Sequence, residues 1–182
     1  MKHKSEALAC LKRFIEDMKV LLRGYKIQAL VGLRSDNGGE YTGRDFKSFC
    51  KANGIRQDFG IPYGSQDNGV AERTWGVLED MARTIRIHSG LGMEYWAEAL
   101  NTSAYILNRS RTAALGPGET PYFKLFGKHA DVSHLRVFGC RVYVHDTSKT
   151  EGKFGSRAME GIMLGYDDDG NNPKCYRVLI PS

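Results

Sequence analysis

Two carboxylates stand where metal-assisted chemistry would place them: Asp36 in LRSDNGGEY and Glu72 in SQDNGVAER, with 35 residues between them. An apolar run leads into Asp36, and Gly38 and Gly39 follow it almost at once. That pattern predicts a carboxylate held rigidly at a strand end, with little side-chain bulk beside it to keep a ligand away. Glu72 falls in the first turn of a predicted helix. Oxygen ligands of this kind suit Mg²⁺ or Mn²⁺, with water and phosphate oxygens completing the coordination. Each residue also has an ordinary structural reading, since an Asp before Asn-Gly-Gly forms turns and a Glu in a first turn suits the helix dipole.

The elements that must position these groups follow from periodicity. Between Ser5 and Leu22 the apolar residues Ala7, Leu8, Leu11, Phe14, Ile15, Met18, Leu21 and Leu22 recur at helical steps, and Gly24 ends the pattern. Lys26 to Leu33 reads as a buried strand delivering Asp36. Arg44 to Ala52 reads as a short helix stopped by Asn53 and Gly54, and Ile55 to Phe59 as a second short strand. The run GIPYGSQDN, 60–68, is a loop by composition. A helix from Gly69 to near Gly90 carries Ala71, Leu78, Met81, Ala82 and Ile85 on one face, and its spacing also places Trp75 among packing residues. Another helix runs from Met93 to Arg109, and LGPGETP, 115–121, breaks the pattern as a linker start. Leu135 to His145, Gly161 to Tyr166 and Cys175 to Ile180 then read as strands of a small β module.

Composition narrows the classes. Among 182 residues, 41% apolar and 26% charged, no stretch approaches the ~18 apolar residues of a membrane helix. The chain therefore reads as an intracellular globular protein with no membrane partner. Cys10, Cys50, Cys140 and Cys175 are too scattered for a disulfide framework or a zinc ribbon. The net charge of +5 suits a polyanionic partner without requiring one.

The segments LRSDNGGEY, FCKANGI, SQDNGVAER, YWAEALNTSAYILNRSRT, PYFKLFGKHADVSHLRVFGCRVYV and LGY, in this order, resemble the integrase region of copia-type retrotransposon Pol polyproteins. The resemblance implies an α/β fold: an RNase H-like integrase core, 1–118, truncated at its N-terminus and lacking its first strands, then a small SH3-like β module, 119–182. In that family two aspartates and a glutamate hold two divalent metals, and Asp36 and Glu72 match the second aspartate and the glutamate as catalytic and metal-binding residues. Tyr63, Gln66 and Asn68 on the loop, and Arg73 and Arg83 on the helix, become candidate DNA contacts, with phosphate contacts supplying salt-sensitive affinity. The alternative for the arginines is a solvated helix face, and for Arg86 that alternative is favoured. His134, in DVSHLRVFGC, reads as structural.

The implied activity is metal-dependent trimming of DNA 3′ ends and strand transfer, that is, DNA integration by a polynucleotidyl transferase. The family's first aspartate lies upstream of the text matching KHKSEAL, and Glu6, Glu16 and Asp17 fall on the first predicted helix. The expectation is thus an incomplete two-metal site and a chain inactive by itself. Asp67 in the loop and Trp75 after Glu72 also depart from the family pattern. A non-catalytic DNA-binding or assembly module is the competing expectation. By resemblance, the partners are element and target DNA and further copies of the chain, and the site of action is the nucleus after cytoplasmic synthesis.

Overall fold

The computed structural model describes residues 3–25, 30–60, 69–146, 157–167 and 175–181. These form two compact units, 1–74 and 75–182.

In the first unit, helix α1 (Ala7–Leu21) is preceded by a single 3-10 turn. Strand β1 (Gly32–Ser35) leads through a four-residue helix α2 (Gly39–Thr42) and helix α3 (Arg44–Ala52) to strand β2 (Arg56–Phe59). β1 and β2 pair in parallel, Gly32 opposite Arg56 and Ser35 opposite Phe59. Parallel neighbours need a crossover, and α3 supplies it. Ala7 and Leu11 of α1 meet Phe46 and Cys50 of α3 and Ile55 before β2 in one buried cluster, with Leu33 and Phe49 packed against it. The α3 boundaries match the sequence reading, and Asn53 and Gly54 stop it as expected, Gly54 at a φ of 67°. α1 is less buried than its apolar stripe implies. Phe14 is 50% exposed and lines a cavity of about 380 Å³ with Met18, Leu22, Tyr25, Leu30 and Ile55.

The second unit is built on helices α4 (Gly69–Ser89, continuing from the first unit), α5 (Trp96–Arg109) and α6 (Pro121–Phe126). An antiparallel sheet completes it: β3 (Arg141–His145), β4 (Ala158–Tyr166) and β5 (Tyr176–Leu179), with β4 in the middle. Ala82 and Ala99 from the helices share a core with Phe138 and Leu164, so residues on both sides of position 118 bury the same surface. α5 lies close against β4 because the residues between them are small. Ala99 and Ser103 are fully buried, and the Thr102 hydroxyl donates to the Leu164 carbonyl at 3.1 Å.

Four elements differ from expectation. The strand read as buried from Lys26 to Leu33 is seen at Gly32–Ser35, is only partly buried, and follows an exposed Val31. The strand anticipated from Leu135 starts only at Arg141, because residues 135–140 are irregular, with a turn at 138–139. Tyr166 accepts from the Arg136 N–H and donates to the Arg136 carbonyl, both at 2.9 Å, and Gly139 takes a φ of 80°. The stretch read as a linker ends in α6, where Thr120 caps the helix by accepting from Phe123 N at 3.1 Å and Pro121 occupies the first turn. Trp75, expected in the core, is 52% exposed and donates its indole N–H to Glu79 at 2.6 Å.

Gly139 is needed twice over. Its φ disfavours any side chain, and a Cβ there would overlap Ser89 Cβ and lie 3.2 Å from Ser89 Cα. Gly139→Ala is therefore expected to destabilise the fold by about 2 kcal/mol or more, read as a lowered urea midpoint with unchanged slope. Gly118, with similar φ but nothing within 4 Å of an added Cβ, is the control for strain alone.

Candidate metal and nucleic-acid site

Asp36 directly follows β1, and the parallel ladder fixes its backbone on both sides. Gly60 N donates to Ser35 O at 3.1 Å, and Asn37 Nδ2 donates to Gly60 O at 3.0 Å. Ser35 is buried, whereas Asp36 itself is exposed. Its Oδ1 accepts from Gly38 N at 3.1 Å, so the turn-forming role is realised with one carboxylate oxygen.

The neighbour of Asp36 that sequence reasoning missed is Glu40. A Cβ built on Gly38 would stand 2.8 Å from Glu40 Oε2 and 3.0 Å from Asp36 Oδ1, so both carboxylates flank one bare Cα. Gly38 keeps the space between them open. Glu40 lies in the first turn of α2, where the helix end favours negative charge, and its side chain is only 15% exposed. Lys4 approaches it at 3.8 Å from a well-solvated position, a weak pairing. The Tyr41 phenol is pushed above its usual range, first by burial and then by the negative charges of Glu40 and Asp36. Its ring meets Phe46 edge-on at 5.5 Å, anchoring α2 on the core. The signal for Glu40 was its four-residue offset from Asp36, which a tight turn followed at once by a helix brings back alongside.

Glu72 lies exposed in the first turn of α4, as expected. Tyr63, Gln66 and Asn68 lie outside the described residues, as do residues 26–29 of the anticipated strand. The arginines of α4 differ in their engagements. Arg73 folds back to donate to Gly69 O at 3.3 Å, and Arg83 pairs with Asp80 at 2.6 Å in an exposed i,i+3 contact. Such a contact contributes roughly 0.3–0.5 kcal/mol. Arg86 is partly buried and donates to Leu91 O at 3.0 Å, closing the turn between α4 and α5, a structural role. His134 is also structural: it is buried and bonded through Nε2 to the Tyr105 hydroxyl at 2.8 Å.

The donors offered by Asp36, Glu40 and Glu72 are all carboxylate oxygens, the chemistry that suits Mg²⁺ or Mn²⁺. Among the described residues no group of three or more His, Cys, Asp or Glu side chains comes together to hold an ion.

Comparison with known proteins places this geometry in context. A chain of the cryoEM structure of the simian T-cell lymphotropic virus intasome in complex with PP2A regulatory subunit B56 gamma is similar in fold. The TM-score is 0.53 at 18% identity, over 97% of this chain and 62% of that one. Residues 140–182 match the retroviral polymerase SH3-like domain. The fold is thus of the retroviral integrase type with an SH3-like domain at its C-terminal end. In sequence, the chain is 38% identical over 137 residues, 75% of its length, to the retrovirus-related Pol polyprotein from transposon TNT 1-94 of Nicotiana tabacum. It is 30% identical over 132 residues, 72% of its length, to that from transposon RE1 of Arabidopsis thaliana. Its homologues are the retrovirus-related Pol polyproteins of copia-type transposons, and it corresponds to an integrase-like segment of that family. The chain spans about a tenth of the length of these relatives, 10% and 9% respectively.

The Tyr41 environment gives a direct test of the carboxylate pair. Asp36→Asn combined with Glu40→Gln is expected to lower the Tyr41 pKa while leaving it above the ordinary phenol value, because burial is the larger cause. Titration of the assigned Tyr41 Cζ resonance by NMR reads both parts. An unchanged value would mean that the two charges do not act on this ring.

Proposed function

We propose that this chain carries an integrase-type active site, with Asp36 and Glu72 as metal-binding carboxylates and Glu40 beside Asp36. The observation that carries the reading is the fixed, exposed Asp36 at the end of a parallel ladder, with Gly38 holding clear the space between it and Glu40. A bound Mg²⁺ or Mn²⁺ would supply Lewis-acid polarisation of a phosphodiester and a lowered pKa for an attacking water or 3′-hydroxyl. The chain's own part is to hold the carboxylates, leave backbone rather than side chains at the approach, and draw in DNA phosphates with α4 arginines. In this reading Arg83 exchanges Asp80 for a phosphate, and Arg73, Tyr63, Gln66 and Asn68 are the further candidate DNA contacts. The reaction class is 3′-end processing and strand transfer, with element and target DNA as substrates, copies of the chain as partners and the nucleus as the place of action.

A second reading, a non-catalytic DNA-binding or assembly module, is favoured by one observation: the described residues bring no third ligand to Asp36. On either reading the chain is expected to bind DNA with an affinity that falls as salt rises.

Two measurements separate the readings. In the first, MgCl₂ or MnCl₂ is titrated into the chain while the Asp36, Glu40 and Glu72 carboxylates are followed by NMR. Saturable shifts that Asp36→Asn or Glu72→Gln weakens at least tenfold support the integrase reading. The second measures DNA affinity with and without the cation. Affinity that is metal-independent and survives Asp36→Asn, with no cation shifts, supports the binding module and overturns the metal assignment.

A further inference from the structure

The second unit holds a cavity of about 220 Å³ that the proposed active site does not use, walled by Tyr105, Arg109, Tyr122, Lys128, His129 and Asp131. Arg109 is its centrepiece. Its guanidinium carbon lies 3.3 Å from the Tyr105 ring centroid and 4.9 Å from that of Tyr122, and Nη1 donates to the Tyr105 carbonyl at 3.2 Å. A planar guanidinium held against two aromatic rings is pre-oriented, so little side-chain freedom is lost when it engages a ligand. Gly127, left-handed at a φ of 68°, ends α6 and turns the chain so that Lys128 and His129 stand exposed at the cavity. His129 is held there by stacking on Phe123 at 4.6 Å. The carboxylate in the wall, Asp131, accepts from Ser133 N at 2.9 Å. Two permanent cations, Arg109 and Lys128, and the imidazoles of His129 and His134 thus share the wall with one carboxylate.

We propose that this cavity is a phosphate-binding pocket, taking one phosphodiester of a nucleic-acid backbone. Charge favours an oxyanion, and Arg109 with Lys128 combines a forked donor with a mobile point charge, a pairing suited to phosphate. Size supports the same class, because the cavity is below the roughly 300–1,000 Å³ that encloses a drug-sized ligand. A base stacked inside is disfavoured, since Arg109 covers the Tyr105 and Tyr122 rings. The pocket deepens the DNA-binding part of the proposed function and rests on that part alone. It needs neither the metal nor Asp36.

The test uses the full chain without divalent cations and a short fluorescein-labelled duplex read by anisotropy across a salt series. Lys128→Ala with His129→Ala removes two exposed side chains, and an unchanged thermal melting point confirms the fold. The expected result is affinity roughly five- to tenfold weaker and a log–log salt slope shallower by about one for each lost phosphate contact. Lys128→Arg with His129 intact should retain most of the affinity. A parallel arm follows the Arg109 side-chain NMR signals as inorganic phosphate is added. Phosphate shifts lost in the double variant, with duplex affinity unchanged, would support the pocket but assign it free phosphate in place of a backbone. Unchanged duplex affinity, unchanged salt slope and no phosphate shifts would overturn the proposal. The phosphate-induced Arg109 shifts are read without metal and without DNA, so failure of the metal assignment and failure of this pocket are separable.

Discussion

The parallel ladder between β1 and β2 is the constraint on which the candidate site depends. Asp36 has no packing of its own, and its position is inherited from Ser35, which is buried and bonded to Gly60, and from Asn37, which is tied to the same residue. A ligand on an exposed turn would ordinarily pay its ordering cost at the moment of binding. Here that ordering is met by hydrogen bonds made in folding, one from the backbone and one from the Asn37 side chain, and α3 with Phe46 and Cys50 packs against the strands. The pre-organisation extends to Glu40, whose place is set by the four-residue helix that Tyr41 anchors on Phe46.

The second unit relies on closeness where the first relies on register. Ala99, Thr102 and Ser103 present almost no bulk on the inner face of α5, so β4 comes near enough for a threonine hydroxyl to reach a strand carbonyl. Around that contact three tyrosines fasten the irregular stretch before β3. Tyr105 holds the His134 ring, Tyr176 donates to the His134 carbonyl at 2.8 Å, and Tyr166, stacked on Tyr105 at 4.4 Å, takes both backbone groups of Arg136. At the far edge Arg177 and Glu98 form a two-pronged pair at 2.6 and 2.9 Å between β5 and α5. The same helix carries Arg109, so the scaffold of this unit also sets the geometry of its cationic pocket.

Much of this was legible in the residues. Helical spacing located α1, α4 and α5, and Asn53 with Gly54 stopped α3 at its observed end, because those signals are local. The carboxylate Asp36 was legible for the same reason, a strand followed by a turn. Glu40 was not, because its nearness to Asp36 depends on a helix so short that no periodicity announces it. The exposure of Trp75 was hidden by a spacing that put it in line with Leu78 and Ala82, although burial depends on what the fold brings opposite. The late start of β3 was equally invisible, since residues 135–140 are rich in strand-forming types, and hydroxyl bonds from a tyrosine about thirty positions away join the turn at Gly139 in keeping them irregular. Arg109 between its two tyrosines belongs to the same class of long-range fact.

The order of strands in the second sheet carries a consequence for synthesis. β4 is the middle strand and the most apolar, with Met163 and Leu164 buried, yet its partner β5 is translated after it. Until residue 179 has left the ribosome, β4 presents an unpaired edge beside a row of apolar side chains, the kind of template that seeds association between nascent chains. A reading frame interrupted between β4 and β5 would release a product prone to clump and be cleared, whereas one that runs through Leu179 closes the edge. That single late strand would divide products that persist from products that are degraded.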